Sequence, residues 1–468
     1  MRKYLILFAF QFLVLLSYGQ FNLYNTRTLF DAFENPAEKA FYADSSRKIA
    51  FNFFIPTLSF NGTIAGPAQR PIKQLLYTGT TESGSFNLGA GESNEITLTE
   101  NSYILMLRIF RSVKFHREMG FAWQIRSDTY GDITNETIAI FQNSRQFGTR
   151  LYEDPFNSKG YNLNYHQFSF SYREDFNKQL GLGVKLSYLS GIAHNELDIK
   201  SSSLSPGSTP NLFNLNLQGM YRSNISWSET QNDLLVPGLK NPGLAITLSS
   251  NYKLHSGWTV MGNLKDLGFI KWNKNEAYIY TYNDKTTFNT SSNAPSSERL
   301  NSKLQQLSDD GVSRKSYITS VNSKAEFLIS KDLGSYQPHL FVSKNLFYRG
   351  GDIALVNRVK YRAMNFNLST AYNLNNFFQL GGQFMIKSPN AEFFLGSDQF
   401  YKTYYTTKGL LSKNENIGKR STAASFYFGF GLKFGRDMQR QQNSTNIPGF
   451  GDNLEPSFFQ RIFKKKKS

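Results

Sequence analysis

The sequence predicts an all-β protein: a transmembrane antiparallel β-barrel of about 14 strands with an N-terminal plug-like segment and a short C-terminal tail. Three observations predict this fold class. Many segments alternate apolar with polar or small residues, which is the period of a β-strand. The 468 residues include no Cys, so no disulfide framework holds the fold. After the first residues no apolar run is long enough for a membrane helix, whereas a closed barrel also satisfies its backbone inside a bilayer.

The chain begins like a secretory signal peptide. Basic residues Arg2 and Lys3 precede an apolar run, and Ser17 and Gly19 are small residues at the minus-three and minus-one positions of a cleavage site. The alternative is an uncleaved anchor or a buried helix. We expect residues 1–19 to be removed and the mature chain to reach the cell outer membrane.

Residues 20–46 are predicted to form an N-terminal plug or a periplasmic segment. Within them, Pro36 fixes its own φ and favours an extended conformation at Asn35. Asn35, Pro36 and Ala37 are therefore a candidate plug turn, where the segment bends into or under the barrel. The alternative is a plain entry turn to the first strand.

Residues 47–435 are predicted to form the barrel, and the clearest signal in them is a hairpin over 243–272. Leu244, Ile246 and Leu248 lie on one parity, and small or charged residues lie on the other. A short turn at His255 to Gly257 separates this strand from the next, so the two strands must be antiparallel. Alternation alone is also compatible with a large soluble β-sandwich or propeller.

The second strand of this hairpin contains a candidate bulge. Asp266, Leu267 and Gly268 interrupt its alternation. We expect the bulge to re-aim Trp272 toward a membrane interface, where Trp is common. A functional bend and a structural corner are both compatible with the pattern.

Charged residues on the small-residue parity are candidates for the barrel lumen. A lysine such as Lys185, between Val184 and Leu186, is costly in lipid but ordinary in a wet lumen. Glycines that alternate with phenylalanines in the last strand, 426–434, leave space on the inward face. The candidate lumen-facing residues are Lys185, Lys253, Asn322, Lys324, Glu326 and Lys433.

The formal charge is +17, and loss of Arg2 and Lys3 with the signal peptide leaves +15. A basic barrel would attract lipopolysaccharide and other anionic outer-membrane lipid at its rim, or anionic solutes at its mouth. An outer-membrane location disfavours nucleic acid as a partner. Residues 436–468 form a polar basic tail, whose candidate sites for a periplasmic partner are Lys464, Lys465, Lys466 and Lys467. A solvated disordered end is the alternative.

No enzyme, cofactor or metal site is predicted. The five His residues are scattered and lack metal-ligand spacing. His255 and Ser256 fall at a hairpin turn without a hydrolase motif around them.

Several motifs resemble those of a known family. The sequence over 263–272, the strand from Leu180, the early Asn35-Pro36-Ala37 and the closing Phe428 to Gly435 resemble, in the same order, an uncharacterised family of Bacteroidota outer-membrane barrels. More distantly, the chain resembles the FadL-like fatty-acid transporter barrels. The latter resemblance implies an N-terminal plug and hydrophobic ligands that leave sideways through the wall.

Two functions remain open at this point, and a barrel hydrolase is kept only as a remote third. The first is a barrel that binds or passes a hydrophobic or amphipathic small molecule. The second is a structural anchor or scaffold for a secretion or surface-attachment complex.

Overall fold

The computed structural model describes residues 21–41, 47–79, 86–112, 117–142, 147–209, 212–224, 237–289, 312–375, 377–418, 422–435 and 459. The predicted signal peptide and its cleavage site lie outside these residues. So do the four lysines of the tail, Lys464 to Lys467.

Antiparallel strands dominate the described chain. In chain order they are β1 (Ile49–Phe51), β2 (Leu58–Ala65), β3 (Ser93–Ser112), β4 (Arg117–Thr134), β5 (Tyr152–Glu153), β6 (Lys159–Asp175), β7 (Leu180–Pro206), β8 (Leu212–Ser223), β9 (Pro242–Lys253), β10 (Trp258–Trp272), β11 (Tyr278–Asn289), β12 (Val312–Arg314), β13 (Tyr317–Ser320), β14 (Lys324–Lys331), β15 (Tyr336–Asn345), β16 (Gly351–Tyr361), β17 (Met364–Asn373), β18 (Phe377–Lys387), β19 (Ala391–Ser397) and β20 (Thr422–Phe434).

Fourteen strand positions close into a barrel in the part of the chain that the structure describes. β1 and β2 together form the first position, which is interrupted between them, and β13 and β14 form the eighth position in the same way. Around the barrel the order is β1/β2, β3, β4, β6, β7, β9, β10, β13/β14, then β15 through β20. β20 pairs back with β1 and β2, where Phe51 faces Leu432 and Phe60 faces Phe426. The predicted all-β barrel of about 14 strands is confirmed.

The two rims of the barrel differ. Short connections at 176–179, 254–257, 332–335, 362–363 and 388–390 lie on one end, here called the short-turn rim. The other end, here called the long-loop rim, carries the described parts of four longer connections, 66–79 with 86–92, 135–142 with 147–158, 273–289 with 312–316, and 398–418. This asymmetry is usual in outer-membrane barrels.

Beyond the long-loop rim, the far half of β7 leaves the barrel. It pairs with β8, β8 pairs with β11, and β11 pairs with β12. β8 and β11 therefore extend this outer sheet rather than the barrel wall. Buried apolar side chains pack beneath it, among them Phe156, Leu215, Tyr280, Phe147 and Ile140.

Four α-helices are described: α1 (Leu29–Glu34), α2 (Gln69–Thr78), α3 (Asn135–Gln142) and α4 (Phe400–Ser412). Thr403 of α4 accepts a 2.9 Å bond from the Ser425 amide, and Thr406 donates a 2.9 Å bond to the Ala423 carbonyl. The helix thus satisfies backbone groups of β20 beyond the end of β19. Among the described residues, no helix has both the length and the apolar character needed to cross a membrane.

The outer face of the wall is apolar and the inner face is polar. On β17, Phe366 and Leu368 are about half exposed, whereas Asn367 and Ser369 are buried. The same alternation exposes side chains around the wall, including Phe170, Leu186, Leu244, Phe327, Leu355, Phe378 and Phe426. An apolar outside with a polar inside is the pattern of a barrel that faces lipid.

The bulge in β10 corrects one prediction. Between Leu264 and Leu267 the ladder with β9 shifts, so three steps on β10 oppose two on β9. One extra residue reverses the parity of all that follows. Trp272 is therefore fully buried, and its indole donates a 2.8 Å hydrogen bond to Thr319. The expectation that it lies at a membrane interface is wrong.

Candidate functional site

Residues 21–41, here called the lumenal segment, cross the inside of the barrel. Nearly all of them are buried, and they bond to inward side chains on opposite walls. Four of these bonds join the Leu29 amide to Glu392 of β19 (2.6 Å), the Ala37 amide to Ser249 of β9 (2.8 Å), Asn22 to Ser369 of β17 (2.9 Å) and the Ala40 amide to Glu118 of β4 (3.2 Å).

The turn at Asn35 to Ala37 lies against β7. The Asn35 amide closes α1 with a 2.8 Å bond to the Asp31 carbonyl, and the Asn35 side chain accepts a 3.1 Å bond from the Ala37 amide. A Cβ added to Gly183 would lie 2.2 Å from the Pro36 carbonyl carbon. Only glycine therefore allows the turn to approach this closely.

Glu34, at the end of α1, is the polar centre of the segment. Its carboxylate accepts bonds from Tyr103 (2.6 Å) and Asn101 (2.9 Å), and it pairs with Arg126 (3.3 Å) and Lys265. Burial alone would raise the pKa of Glu34, but Lys265, then Arg126, outweigh it and hold this pKa well below its usual value. Glu34 is therefore ionised and multiply bonded.

The β10 bulge supplies the neighbouring anion. Asp266 has a φ of 51° and a buried carboxylate. This carboxylate pairs with Arg126 (2.6 Å) and Lys185 (3.1 Å) and accepts a 3.1 Å bond from Thr247. Arg126 thus joins Glu34 of the segment to Asp266 of the wall. Adjacent Leu267 and Gly268 resume pairing with β9.

The other candidate lumen-facing residues have different surroundings. Asn322 donates a 3.0 Å bond to Asp128, and Glu326 accepts a 2.7 Å bond from Tyr24 of the segment. Lys433 is buried over the Phe110 ring. Lys324 lines a small central cavity, whereas Lys253 is exposed at the short-turn rim.

The central cavity has a volume of about 70 Å³. Charged groups line it, including Glu34, Arg126, Asp128, Lys324 and Asp352. A space of this size and polarity suits a few water molecules. It does not suit a hydrophobic ligand.

Asp31 of α1 is another buried acid of the segment. Its carboxylate accepts bonds from the Thr26 and Arg27 amides at 2.7 and 3.0 Å. Burial, followed by the nearby charge of Glu38, nevertheless raises the pKa of Asp31 from 3.8 to about 7. Its protonation therefore changes near neutral pH.

The segment also carries an apolar face. Phe30 lies edge-on to Tyr103 with ring centroids 5.5 Å apart, and it lies 6.3 Å from Phe394. These side chains belong to a buried group, here called the lumenal apolar cluster, which also includes Leu23, Leu29, Phe33, Phe41, Met106, Phe110, Met385 and Tyr427. A Cβ at Gly429 of β20 would lie 2.2 Å from the Phe394 ring, so this glycine makes room for the cluster.

The wall is interrupted beside this cluster. Between β1 and β2, residues 53–56 leave the ladder, whereas Thr57 still pairs with Tyr103 of β3. Phe53 and Phe54 take positive φ angles and are exposed. Buried Asn52 bridges the gap through bonds to the Ile104 carbonyl and the Met106 amide, at 3.1 and 3.0 Å. Residues 429–431 of β20 face no residue of β1 or β2 in the described ladder. The lumenal apolar cluster thus adjoins the interruption, here called the wall break.

Glu34, Phe30 and the wall break are not predicted from the sequence. The stretch around Phe30 and Phe33 mixes aromatic and acidic residues, as many short amphipathic helices do, so nothing in it marks a lumenal position. Pro56 after a run of aromatic residues was the available signal for the break. Among the described residues, no group of three or more His, Asp or Glu side chains is placed to hold a metal ion.

A family model described as "Family of unknown function (DUF5723)" matches residues 48–398. No curated protein matches the chain. The chain is similar to the solved TodX deltaS2S3 mutant monoaromatic hydrocarbon channel, with 9% identity, 90% of this chain and 96% of that chain covered, and a TM-score of 0.44. The chain is also similar to the Ralstonia pickettii toluene transporter TbuX, with 11% identity, 86% of this chain and 94% of that chain covered, and a TM-score of 0.39. A Pseudomonas aeruginosa FadL homologue has 11% identity with the chain, 87% of this chain and 94% of that chain covered, and a TM-score of 0.39.

Proposed function

This chain belongs to DUF5723, a family of unknown function, and we propose that it is an outer-membrane β-barrel that passes a hydrophobic or amphipathic small molecule. In this proposal the molecule moves between the lumen and the lipid through the wall break. The mature chain reaches the outer membrane after removal of residues 1–19. The short-turn rim faces the periplasm.

One observation carries the proposal: the lumenal apolar cluster lies directly behind the wall break. Phe30 and Phe33 of the segment pack there against Tyr103, Met106 and Phe394 of the wall. A hydrophobic molecule that displaced these two rings would make the same apolar contacts with the wall in their place. The central cavity, by contrast, is small and charged. The apolar route therefore runs sideways rather than along the barrel axis.

The lumenal segment acts as the gate in this proposal. Its apolar face occupies the ligand position, and the pairs around Glu34 hold it there. Movement of the segment opens the apolar space, and return of the segment expels the ligand. The barrel itself needs no change, because the strands close its hydrogen-bond ladder without the segment.

A reversible cross-link tests the gate. The Ala37 amide lies 2.8 Å from the Ser249 hydroxyl, so Ala37→Cys with Ser249→Cys should join the segment to β9 in a chain that has no other cysteine. The purified barrel would be placed in lipid vesicles, and uptake of fluorescent fatty acids would be compared with uptake of polar solutes. We expect selective apolar uptake that stops on oxidation and returns on reduction.

The two single-cysteine variants are the controls, and oxidation should leave their uptake unchanged. Equal uptake of polar and apolar solutes would contradict the proposal. Absence of selective uptake, together with co-purifying partner proteins, would favour the scaffold function instead.

A further inference from the structure

A second cavity, of about 110 Å³, lies inside the short-turn rim. The wall from β15 to β18 encloses it on one side and residues 25–27 of the lumenal segment on the other. Its lining includes four cationic side chains and one carboxylate, Arg27, Arg358, Lys360, Lys387 and Asp332. Polar groups of Asn25, Thr26, Gln337 and Asn365 complete most of the lining. The cavity therefore has a strong excess of positive charge.

The two deeper cations already bind oxygen atoms. Arg358 donates a 2.9 Å bond to the Tyr24 carbonyl and a 2.5 Å bond to the Asn25 carbonyl. Lys387 donates to the next two carbonyls, those of Thr26 (2.7 Å) and Arg27. Both side chains are at least nine-tenths buried. This wall is thus a fixed array of donors that face oxygen acceptors.

The other two cations lie nearer the mouth. Lys360 is half-buried at the end of β16, and the Arg27 side chain is about one-third exposed and 3.6 Å from Glu38. Asp332 lies in the β14–β15 turn, where its carboxylate accepts a 3.0 Å bond from the Gly334 amide. A guest that enters from solvent meets these three groups first.

We propose that this cavity binds an oxyanion, either a phosphate or a carboxylate group. A guanidinium and an ammonium at fixed positions make strong charge-assisted bonds to such groups. The volume fits one small oxyanion with little space left over. Lys360 and Arg27 attract the anion, and Arg358 and Lys387 share their donors between it and the segment carbonyls. The site is independent of the proposed passage of hydrophobic molecules.

Calorimetric titration of the full chain in uncharged detergent, with inorganic phosphate, tests the site. We expect saturable binding at one site. Lys360→Gln removes one cation from the lining and should weaken binding about five- to tenfold, whereas Asp332→Asn removes the repelling carboxylate and should tighten it. Lys331→Gln is the matched control, because Lys331 is on the same rim but donates to the Ser256 carbonyl outside the cavity.

The tightening by Asp332→Asn separates binding from damage to the fold, since a misfolded variant would lose affinity. Short-chain phosphatidylglycerol below its micellar concentration and hexanoate form two further arms. Tighter binding of either than of phosphate would identify a lipid or fatty-acid head group as the source of the oxyanion. Absence of saturable binding in all three arms would overturn the proposal. Equal losses for Lys360→Gln and Lys331→Gln would overturn it too.

Discussion

Glu34 joins the lumenal segment to both the apolar cluster and the charged wall. Glu34→Gln would remove the anion that Lys265 and Arg126 face. Loss of one partner of a buried pair costs about 3–5 kcal/mol, so the segment should leave its position far more often. A single cysteine in place of buried Ala32 can report this, through its rate of labelling by an impermeant maleimide.

Glu38→Gln is the comparison for that prediction. Glu38 also bonds to the wall, through Asn251, but its Arg27 partner is about one-third exposed. Solvent screens such a pair, so its loss should matter less. Equal labelling rates for the two variants would contradict the central role of Glu34.

Asp31 predicts a dependence of the gate on pH. Its pKa is raised from 3.8 to about 7 in the seated segment, so the seated state favours the protonated acid. The contribution of Asp31 to the stability of the seated segment is most favourable below about pH 4. It falls as pH rises and levels off above about pH 7. Labelling of the Ala32→Cys reporter should therefore increase from pH 5.5 to 8.

Two measurements isolate that effect. Labelling rates are divided by those of a Thr407→Cys variant, whose exposed position corrects for thiol ionisation. Asp31→Asn keeps an acceptor for the Thr26 and Arg27 amides and should flatten the curve. An unchanged slope in Asp31→Asn would assign the pH effect to another group.

Single residues also show the limit of the alternation argument. Alternation assigns Lys185 to the inward parity, and the structure has it beside Asp266. The partner could not be predicted, because an extra residue in β10 decides which face Asp266 and Trp272 occupy. Where a bulge lies, parity on one strand no longer determines the direction of a side chain.

At the scale of elements, the contact between the segment turn and β7 depends on one glycine. Gly183→Ala would place a Cβ about 2.2 Å from the Pro36 backbone, so the turn must move while the β7 ladder stays intact. We expect a folded barrel with faster labelling at Ala32→Cys. Gly262→Ala on β10 is the control, because its nearest neighbour would be 3.5 Å away.

The outer face of β7 gives a second prediction at this scale. Val184 points outward between buried Gly183 and Lys185. Arg on the lipid side near the bilayer midplane costs roughly 2–4 kcal/mol. Val184→Arg should weaken folding into vesicles by that order, measured by denaturant titration and heat-modifiable gel migration. Val184→Leu should be nearly neutral, and similar stabilities for both would show that this face does not meet lipid.

Elements with a period of two were the predictable ones. The hairpin of β9 and β10 and the last strand follow directly from their alternation. Helices α3 and α4 were not predicted because they lie in connections between strands. The role of α4 becomes visible only in the structure, where its side chains bond to the backbone of β20. β8 and β11 alternate like wall strands, so the sequence could not distinguish them from the barrel.

At the scale of the whole molecule, the lumenal segment fills a barrel that closes without it. Deletion of 20–46 should leave the heat-modifiable barrel intact and raise its single-channel conductance in planar bilayers, because the exposed lumen is lined by polar groups. Unchanged conductance in a folded deletion variant would show that the segment does not act as a gate.

Composition and alternation predicted a closed barrel of about 14 strands, but alternation alone left a soluble β-sandwich or propeller open, because the sequence does not show which solvent the apolar face meets. They could not reveal what fills the lumen. The position of the segment depends on contacts such as Asn22 with Ser369 and Leu29 with Glu392, which join residues more than 300 positions apart. No local pattern encodes such pairs.

Those distant pairs also determine the order of assembly. β20 completes the wall by pairing with β1 and β2, so the two ends of the barrel sequence must meet before it exists as a cylinder. Asn22, in the lumenal segment, bonds to Asp398, which precedes the last strand by more than 20 residues. Contacts of such long sequence separation form slowly. The lumenal segment therefore reaches its final position only after nearly the whole barrel sequence is available to pair with it.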